Sequence, residues 1–257
     1  MSDDARFVAV ALAGGVLERD FRRAGFSVPN KAYLPIGGIT MLERVLRALR
    51  ASHSIGRIRC VTQPNAFAGM FGQDRSFCDD VIAPGIDLID SMLAGFAGLS
   101  PTQMVLVAAT DIPLVTARAI DAFAAAARQL DCDLGYGCIR RIAHAAAYPT
   151  IRHTWVRLRE GTFCGAGVSV IRAGAAVHVA SILRDFAAAR KSPLRLASLF
   201  SPFLVVRTAL GLVGIAELER RASDLTGVAC RAIPSDEPEL GVNVDQLEDL
   251  YAVARLV

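Results

Sequence analysis

The sequence lacks the patterns typical of zinc-binding, secreted and membrane-spanning proteins. Its six cysteines include no C-x-x-C pair and its four histidines show no metal-ligand spacing, so we do not expect a zinc site. No uncharged apolar run reaches about 18 residues, which argues against a transmembrane helix. The acidic start at Ser2, Asp3 and Asp4 does not resemble a secretory signal. We therefore expect a cytoplasmic protein with free thiols.

Strong charge of either sign is also missing. The net charge is +3 over 257 residues, which is too mild to indicate nucleic-acid binding but suits a protein that handles anionic phosphates. Apolar residues make up 53% of the chain, enough for a sizeable core. The most apolar stretch, residues 199–218, is interrupted by Pro202, Arg207 and Glu217. We interpret it as helices that pack over the domain or form a homo-oligomer contact, with peripheral attachment to a membrane surface as the alternative.

Short apolar runs alternate with helical patterns over the first half of the chain. Strands are predicted at residues 6–13, 57–62, 80–83 and 104–109, and helices at 41–49, 87–99 and 116–130. This alternation predicts an α/β fold in which a Rossmann-like, mostly parallel sheet carries helices on both faces. Ligands of such sheets collect at the carboxyl ends of the strands.

The second half of the chain differs from the first in composition and in its hydrophobic pattern. Residues 152–163 are rich in charge and β-formers, helical patterns cover 175–191 and 193–225, and a short loop and helix follow over 241–257. We see neither a repeat nor a low-complexity linker, so we predict one domain with an apolar helical segment in its C-terminal half.

A glycine-rich, basic segment follows the first predicted strand. It begins with Leu12, Ala13, Gly14 and Gly15. Without a Cβ, the two glycines let backbone N–H groups approach a phosphate chain closely. Arg19 and Lys31 follow, and they can neutralise a triphosphate and the charge that develops at its α-phosphorus. A plain turn with a solvated basic loop is the alternative.

An acidic residue follows another of these strands. Asp111 begins an Asp-Ile-Pro sequence directly after the run 104–109. A carboxylate at the end of a strand can bind Mg²⁺, and Pro113 stiffens the turn that aims it.

The order and spacing of these motifs resemble the MobA-like branch of nucleotidyltransferases, which have a GT-A-like α/β fold. The matching positions are residues 12–15, Arg19, Lys31, 34–38, 41–46 and Asp111. Three positions depart from the family pattern: Leu17 replaces a glycine, and Asn30 and Leu247 each replace a proline. The resemblance implies an enzyme that joins NMP from an NTP to a phosphorylated acceptor, such as a sugar or polyol phosphate, and releases pyrophosphate.

The resemblance also implies residue roles. Lys31 and Arg19 are the catalytic cations, and Leu12, Ala13, Gly14 and Gly15 bind the nucleotide. Mg²⁺ is the implied cofactor, with Asp111 as one ligand. The second ligand comes from a closing motif, where both Asn243 and Asp245 are candidates.

Further matches concern the base and the acceptor. Gly85 and Ser91 correspond to the base-reading segment of the family, which slightly favours CTP, although a structural role for the serine is the alternative. Arg157, Arg159, Thr162 and Gly165 correspond to the acceptor strand and loop. The exposed face of a strand explains the two arginines equally well.

The resemblance divides the single domain, 1–257, into a nucleotide-binding half, about 1–135, and an acceptor-binding half, about 136–257, with a helical insertion and the closing metal motif. Three alternatives remain open. A GT-A glycosyltransferase would be expected to carry D-x-D where this chain has Asp111-Ile112-Pro113. A molybdenum cofactor guanylyltransferase is disfavoured by the apolar region after residue 174. A non-catalytic nucleotide-binding module would need no paired metal ligands.

Overall fold

The most continuous apolar runs of the sequence form the strands of a central sheet. The computed structural model describes residues 6–72, 74, 76–189 and 202–257. The strands are β1 (Phe7–Leu12), β2 (Pro35–Ile36), β3 (Ile39–Thr40), β4 (Ile55–Val61), β5 (Asp80–Ile82), β6 (Met104–Ala109), β7 (Leu134–Arg140), β8 (Val156–Leu158), β9 (Gly161–Arg172) and β10 (Cys230–Ser235). The helices are α1 (Arg19–Arg23), α2 (Met41–Ala51), α3 (Pro64–Phe71), α4 (Leu88–Phe96), α5 (Ala117–Arg128), α6 (Arg141–Ala147), α7 (Ala176–Ala189), α8 (Pro202–Ala209), α9 (Ile215–Thr226) and α10 (Leu247–Ala254).

Within the described chain, the main sheet has the strand order β10-β7-β9-β6-β1-β4-β5, and β8 pairs with β9. The pairs β1–β4, β1–β6, β4–β5 and β7–β10 are parallel. In this sheet β9 runs antiparallel to its neighbours β6, β7 and β8, and β2 and β3 form a separate antiparallel pair. The carboxyl ends of β1 and β6 therefore lie side by side at one edge of the sheet.

Helices cover both faces of this sheet and bury its side chains. One core cluster joins the strands to α2 and α5, through residues such as Leu46 and Phe123. A second cluster joins the opposite face to α4 and α7, through residues such as Met92 and Val179. A third, smaller cluster packs α1, β2 and α10 together. The predicted Rossmann-like α/β architecture with a mostly parallel sheet is confirmed.

The helical pattern over residues 193–225 forms two separate helices, α8 and α9, in the part of this range that the structure describes. Gly211 adopts a φ of 69°, in the left-handed region, and follows directly on the turn that ends α8. Gly214 is then the N-cap of α9. Residues 190–201 lie outside the described residues, so the apolar segment 199–218 is not confirmed. In the part of the chain that the structure describes, no helix is both long enough and apolar enough to cross a membrane.

Candidate active site

Three segments that are distant in sequence meet at the carboxyl edge of the sheet. Asp111 follows β6, Lys31 begins a short 3-10 turn (Lys31–Tyr33), and Asp245 lies in the loop before α10. The Lys31 Nζ lies 2.6 Å from Asp111 Oδ2 and 2.9 Å from Asp245 Oδ1. The backbone fixes this arrangement further, because the N–H of Val244 donates to the backbone carbonyl of Asp111 at 2.8 Å.

Asn30 holds the turn that presents Lys31. Its side chain is buried, with 1% of the residue exposed. Its Oδ1 accepts from the N–H of Ala32 at 3.0 Å and caps the turn. Its Nδ2 donates to the carbonyl of Ala13 at 2.9 Å and to Gln63 Oε1 at 3.3 Å. The Asn30 amide therefore connects the glycine-rich loop to the turn. This connection holds Lys31 where its ammonium lies at the carboxyl edge of the sheet.

Two carboxylates keep Lys31 positively charged. Burial alone would lower the pKa of Lys31, but the ion pair with Asp111 and the contact with Asp245 outweigh it and raise that pKa above its ordinary value. The Val244 carbonyl accepts a further hydrogen bond from Nζ at 3.3 Å. Lys31 is thus positively charged, and three acceptors fix the position of its ammonium.

The oxygens around Lys31 have the chemistry of a Mg²⁺ site. Asn243 Nδ2 lies 3.4 Å from Asp111 Oδ1, so the amide adjoins the same carboxylate that Lys31 contacts. A half-turn of the Asn243 amide about its last side-chain bond would present its oxygen at this point instead. Among the described residues, no group of three or more His, Cys, Asp or Glu side chains could hold a metal. Two carboxylates and an amide suit Mg²⁺, which usually takes few protein ligands and completes its shell with phosphates and water.

A cleft of about 400 Å³ opens beside these groups. Its lining includes Leu12, Gly14, Lys31, Asp111 and Asn243, which sequence analysis selected, and Tyr136, which it did not. The cleft lies over the ends of β1 and β6, where ligands of parallel sheets bind. The arrangement can hold a polyanion, because a fixed cation and a candidate cation site both face it.

Comparison with known proteins decides the family. Residues 9–179 match the sequence profile of the MobA-like NTP transferase domain. The chain belongs to that family. This MobA-like transferase is similar over 95% of its length to a hypothetical transferase from Thermus thermophilus, of which it covers 99%, with 31% identity and a TM-score of 0.82.

Two more distant structures share the fold. One is CMP:2-keto-3-deoxy-manno-octonic acid synthetase complexed with CTP, at 14% identity, a TM-score of 0.58 and 98% coverage of both chains. The other is 4-diphosphocytidyl-2C-methyl-D-erythritol synthase, at 16% identity, a TM-score of 0.58 and 98% coverage of both chains. The expectation of a nucleotidyltransferase of the MobA-like family is confirmed.

The glycine-rich loop of this MobA-like transferase passes close to the Pro84 loop. A Cβ on Gly14 would lie 3.1 Å from Pro84 Cβ and 3.4 Å from Ser91 Oγ, so a side chain there would crowd the cleft. Gly15 adopts a φ of 92°, which favours glycine. Leu17 is 4% exposed and packs into the third core cluster. Its replacement of the usual family glycine therefore anchors the loop in the core.

Gly85 and Ser91 both shape the loop before α4. Ser91 Oγ donates to the carbonyl of Asp87 at 2.7 Å and accepts from the N–H of Gly85 at 3.1 Å. A Cβ on Gly85 would lie 2.3 Å from Asp90 Cβ. The single hydroxyl proton of Ser91 is thus used within the loop, and in this conformation only acceptor capacity remains for a base.

The other predicted residues lie outside the Lys31 cleft. Arg19 is exposed at the start of α1. Arg157 on β8 pairs with Thr162 on β9, and its side-chain carbons lie against Gly211. The N–H of Arg159, on the same hairpin, donates to the Val213 carbonyl at 3.0 Å. The β8–β9 hairpin therefore approaches the connection between α8 and α9.

Gly165 lies further along β9, where this strand pairs with β7. A Cβ on Gly165 would lie 2.3 Å from the hydroxyl oxygen of Tyr136. The glycine therefore makes room for the tyrosine beside the cleft.

Asn30 and Tyr136 are the residues that sequence reasoning missed. Asn30 carried a usable signal, because asparagine is a favoured cap immediately before a helical turn. Tyr136 carried none, since its position depends on how β7 pairs with β9.

Proposed function

We propose that this chain transfers NMP from an NTP to the phosphate of a small acceptor and releases pyrophosphate. One observation carries the proposal: the Lys31 ammonium lies between Asp111 and Asp245 at the mouth of a cleft over the strand ends. A partly buried cation held by acidic side chains has little structural purpose at a surface cleft, but it suits a site that exchanges those partners for phosphates.

The proposed reaction is an in-line displacement. An oxygen of the acceptor phosphate forms a bond to the α-phosphorus, the bond from that phosphorus to the bridging oxygen breaks, and pyrophosphate leaves with the electron pair. Lys31 stays protonated throughout and stabilises negative charge on the transferred and departing phosphates. Gly14 and Gly15 let the triphosphate lie against the backbone. No general base is required, because the attacking oxygen is already anionic.

Asp111, with Asn243 or Asp245, would hold Mg²⁺ in this site. The cation would neutralise charge on the phosphate oxygens. We propose Arg19 as a second cation that contacts the triphosphate from the start of α1, which its exposed position leaves accessible.

We propose that residues 1–135 bind the nucleotide and that residues 136–257 bind the acceptor. Within the second half, Arg157, Arg159 and Thr162 are proposed acceptor contacts on the β8–β9 hairpin. CTP is the first donor to test, since both distant structures are of enzymes named for cytidine compounds.

A pyrophosphate-release assay tests the proposal. The full chain is incubated with each of the four NTPs, Mg²⁺ and a panel of phosphate monoesters, and we expect release only when an acceptor is present. EDTA should abolish it, and Asp111→Asn should reduce it about 10²-fold or more while Asp74→Asn, on the exposed surface, leaves it unchanged. Transfer from a nucleotide sugar without pyrophosphate would instead identify a glycosyltransferase.

The proposed function would be contradicted if none of the four NTPs released pyrophosphate with any acceptor. Full activity of Asp111→Asn would contradict it as well. A requirement for GTP together with a pterin phosphate would select the molybdenum cofactor branch of the family.

A further inference from the structure

A second cavity, of about 370 Å³, lies between the sheet and α9. Alternate residues of β7 form its floor: Leu134, Tyr136 and Cys138. One side of α9 forms its wall through Ile215, Leu218 and Ala222, at the spacing of a single helical face. We call this space the β7–α9 pocket.

The β7–α9 pocket adjoins the Lys31 cleft. Tyr136 lines both spaces, and 54% of this residue is exposed although β7 is paired on both sides, with β10 and β9. Gly165 on β9 gives its hydroxyl room, as the 2.3 Å approach of an added Cβ shows. The tyrosine ring is therefore a shared wall, with the phosphate-handling groups on one side and the pocket on the other.

The lining of the β7–α9 pocket offers little to a sugar or polyol. Of the two charged side chains in it, Glu219 accepts from the N–H of Ala232 at 2.9 Å, and Arg231 donates to the carbonyl of Cys230 at 2.8 Å. Burial raises the pKa of Cys138 to about 11, so this thiol is neutral. The rest of the lining is mostly apolar, so hydroxyl groups placed here would recover few of their hydrogen bonds to water, whereas apolar groups would gain from leaving water.

We propose that the β7–α9 pocket holds an apolar part of the acceptor, so that the acceptor is the phosphate monoester of an alcohol with an apolar chain or ring. This inference depends on the proposed function, because the acceptor phosphate must face Lys31 while its apolar part passes Tyr136. At about 30 Å³ for each water-sized group, the pocket has room for roughly a dozen non-hydrogen atoms.

Calorimetric binding of two alkyl phosphates tests the inference. Butyl and octyl phosphate are titrated into the full chain in the presence of Mg²⁺ and a non-hydrolysable NTP. Each buried methylene strengthens binding about fourfold, so we expect octyl phosphate to bind roughly 10²-fold more tightly than butyl phosphate.

Two variants locate the effect. Ala222→Phe places a ring in the β7–α9 pocket and should remove most of the octyl preference. Ala216→Phe adds the same ring on another face of α9, where residue 216 is exposed, and should keep the preference. Melting temperatures of both variants establish that they fold. If Ala222→Phe does not fold, the chain-length comparison on the unchanged protein still decides.

Equal affinity for the two alkyl phosphates, or an octyl preference that survives Ala222→Phe, would overturn the inference. Pyrophosphate release with the same compounds separates it from the proposed function. If glycerol phosphate turns over at the same rate as octyl phosphate, the proposed function is supported and the proposal of an apolar acceptor is contradicted. If octyl phosphate binds tightly at the pocket but no acceptor leads to pyrophosphate release, the pocket binds apolar chains and the proposed function is contradicted.

Discussion

Replacing Lys31 by alanine removes the ammonium that lies between Asp111 and Asp245. The side chain of Lys31 is 24% exposed and that of Asp111 is 13% exposed, so the pair is partly shielded from water. Loss of one partner leaves Asp111 without its ion pair but within reach of solvent. We expect a loss of about 1–3 kcal/mol in the free energy of unfolding, less than for a fully buried pair.

The effect on catalysis should be larger. Removing one preorganised group that stabilises transition-state charge typically lowers kcat about 10²- to 10³-fold, which corresponds to about 2.7–4 kcal/mol. Lys31→Ala should therefore lower kcat by this factor, and Lys31→Arg should recover only part of it, because the planar guanidinium cannot reproduce a point charge between two carboxylates.

Steady-state pyrophosphate release with the identified NTP and acceptor measures this prediction. Arg47→Ala is the matched control, because it breaks an ion pair to Glu43 on the exposed side of α2, away from the cleft lining. A kcat for Lys31→Ala within about threefold of the Arg47→Ala value would refute the reasoning, since the ammonium would then not act on the transition state.

Three further changes test the structure around the site. Asn30→Ala removes a cap and two buried donations, so unfolding should become about 1–3 kcal/mol easier and kcat/KM should fall roughly 10- to 100-fold. Gly85→Ala forces a Cβ against Asp90 and should lower the melting temperature by several degrees. Burial and neighbouring His153 lower the pKa of His144 from 6.5 to about 4. Neutral His144 therefore contributes up to about 3 kcal/mol to the free energy of unfolding above pH 6.5, and this contribution should be lost as the pH falls to about 4.

Matched variants decide each of these outcomes. Asn30→Ser keeps a capping oxygen and should lie between the alanine variant and the unchanged protein. Gly69→Ala, in α3 with open space around it, should melt no lower than the unchanged protein, and a fall equal to that of Gly85→Ala would contradict the clash. His144→Phe should flatten the acid dependence of urea unfolding, while exposed His53→Phe should retain it. A persistent fall in His144→Phe would show that other groups cause it.

Much of the sheet could be predicted because its strands are continuous apolar runs. β6 occupies the predicted residues 104–109, and β1 the predicted run without its end residues. The helical pattern over 193–225 did not show where α8 ends and α9 begins. Hydrophobic periodicity continues through Gly211, but the backbone of that residue turns left-handed, which is a property of local conformation that periodicity does not record.

The candidate site shows the same division. The carboxyl edge of the sheet could be predicted as the place of Lys31 and Asp111, because both follow predicted strands and parallel strands end at the same edge. Residue patterns alone could not bring Asp245 to the ammonium that contacts Asp111, since the Lys31–Asp245 contact spans 214 positions, and only the family resemblance implied that these segments share a site. The contact between Tyr136 and Gly165 could not be predicted either, because the two residues meet only through the pairing of β7 with β9.

A crystal structure with Mg²⁺ and the α,β-methylene analogue of the donor NTP tests the central claim most directly. We predict Mg²⁺ at about 2.0–2.1 Å from an Asp111 oxygen, and Lys31 Nζ at about 3 Å from a phosphate oxygen. A triphosphate bound elsewhere, with Lys31 still enclosed by Asp111 and Asp245, would contradict the claim that these segments form one phosphate-binding site.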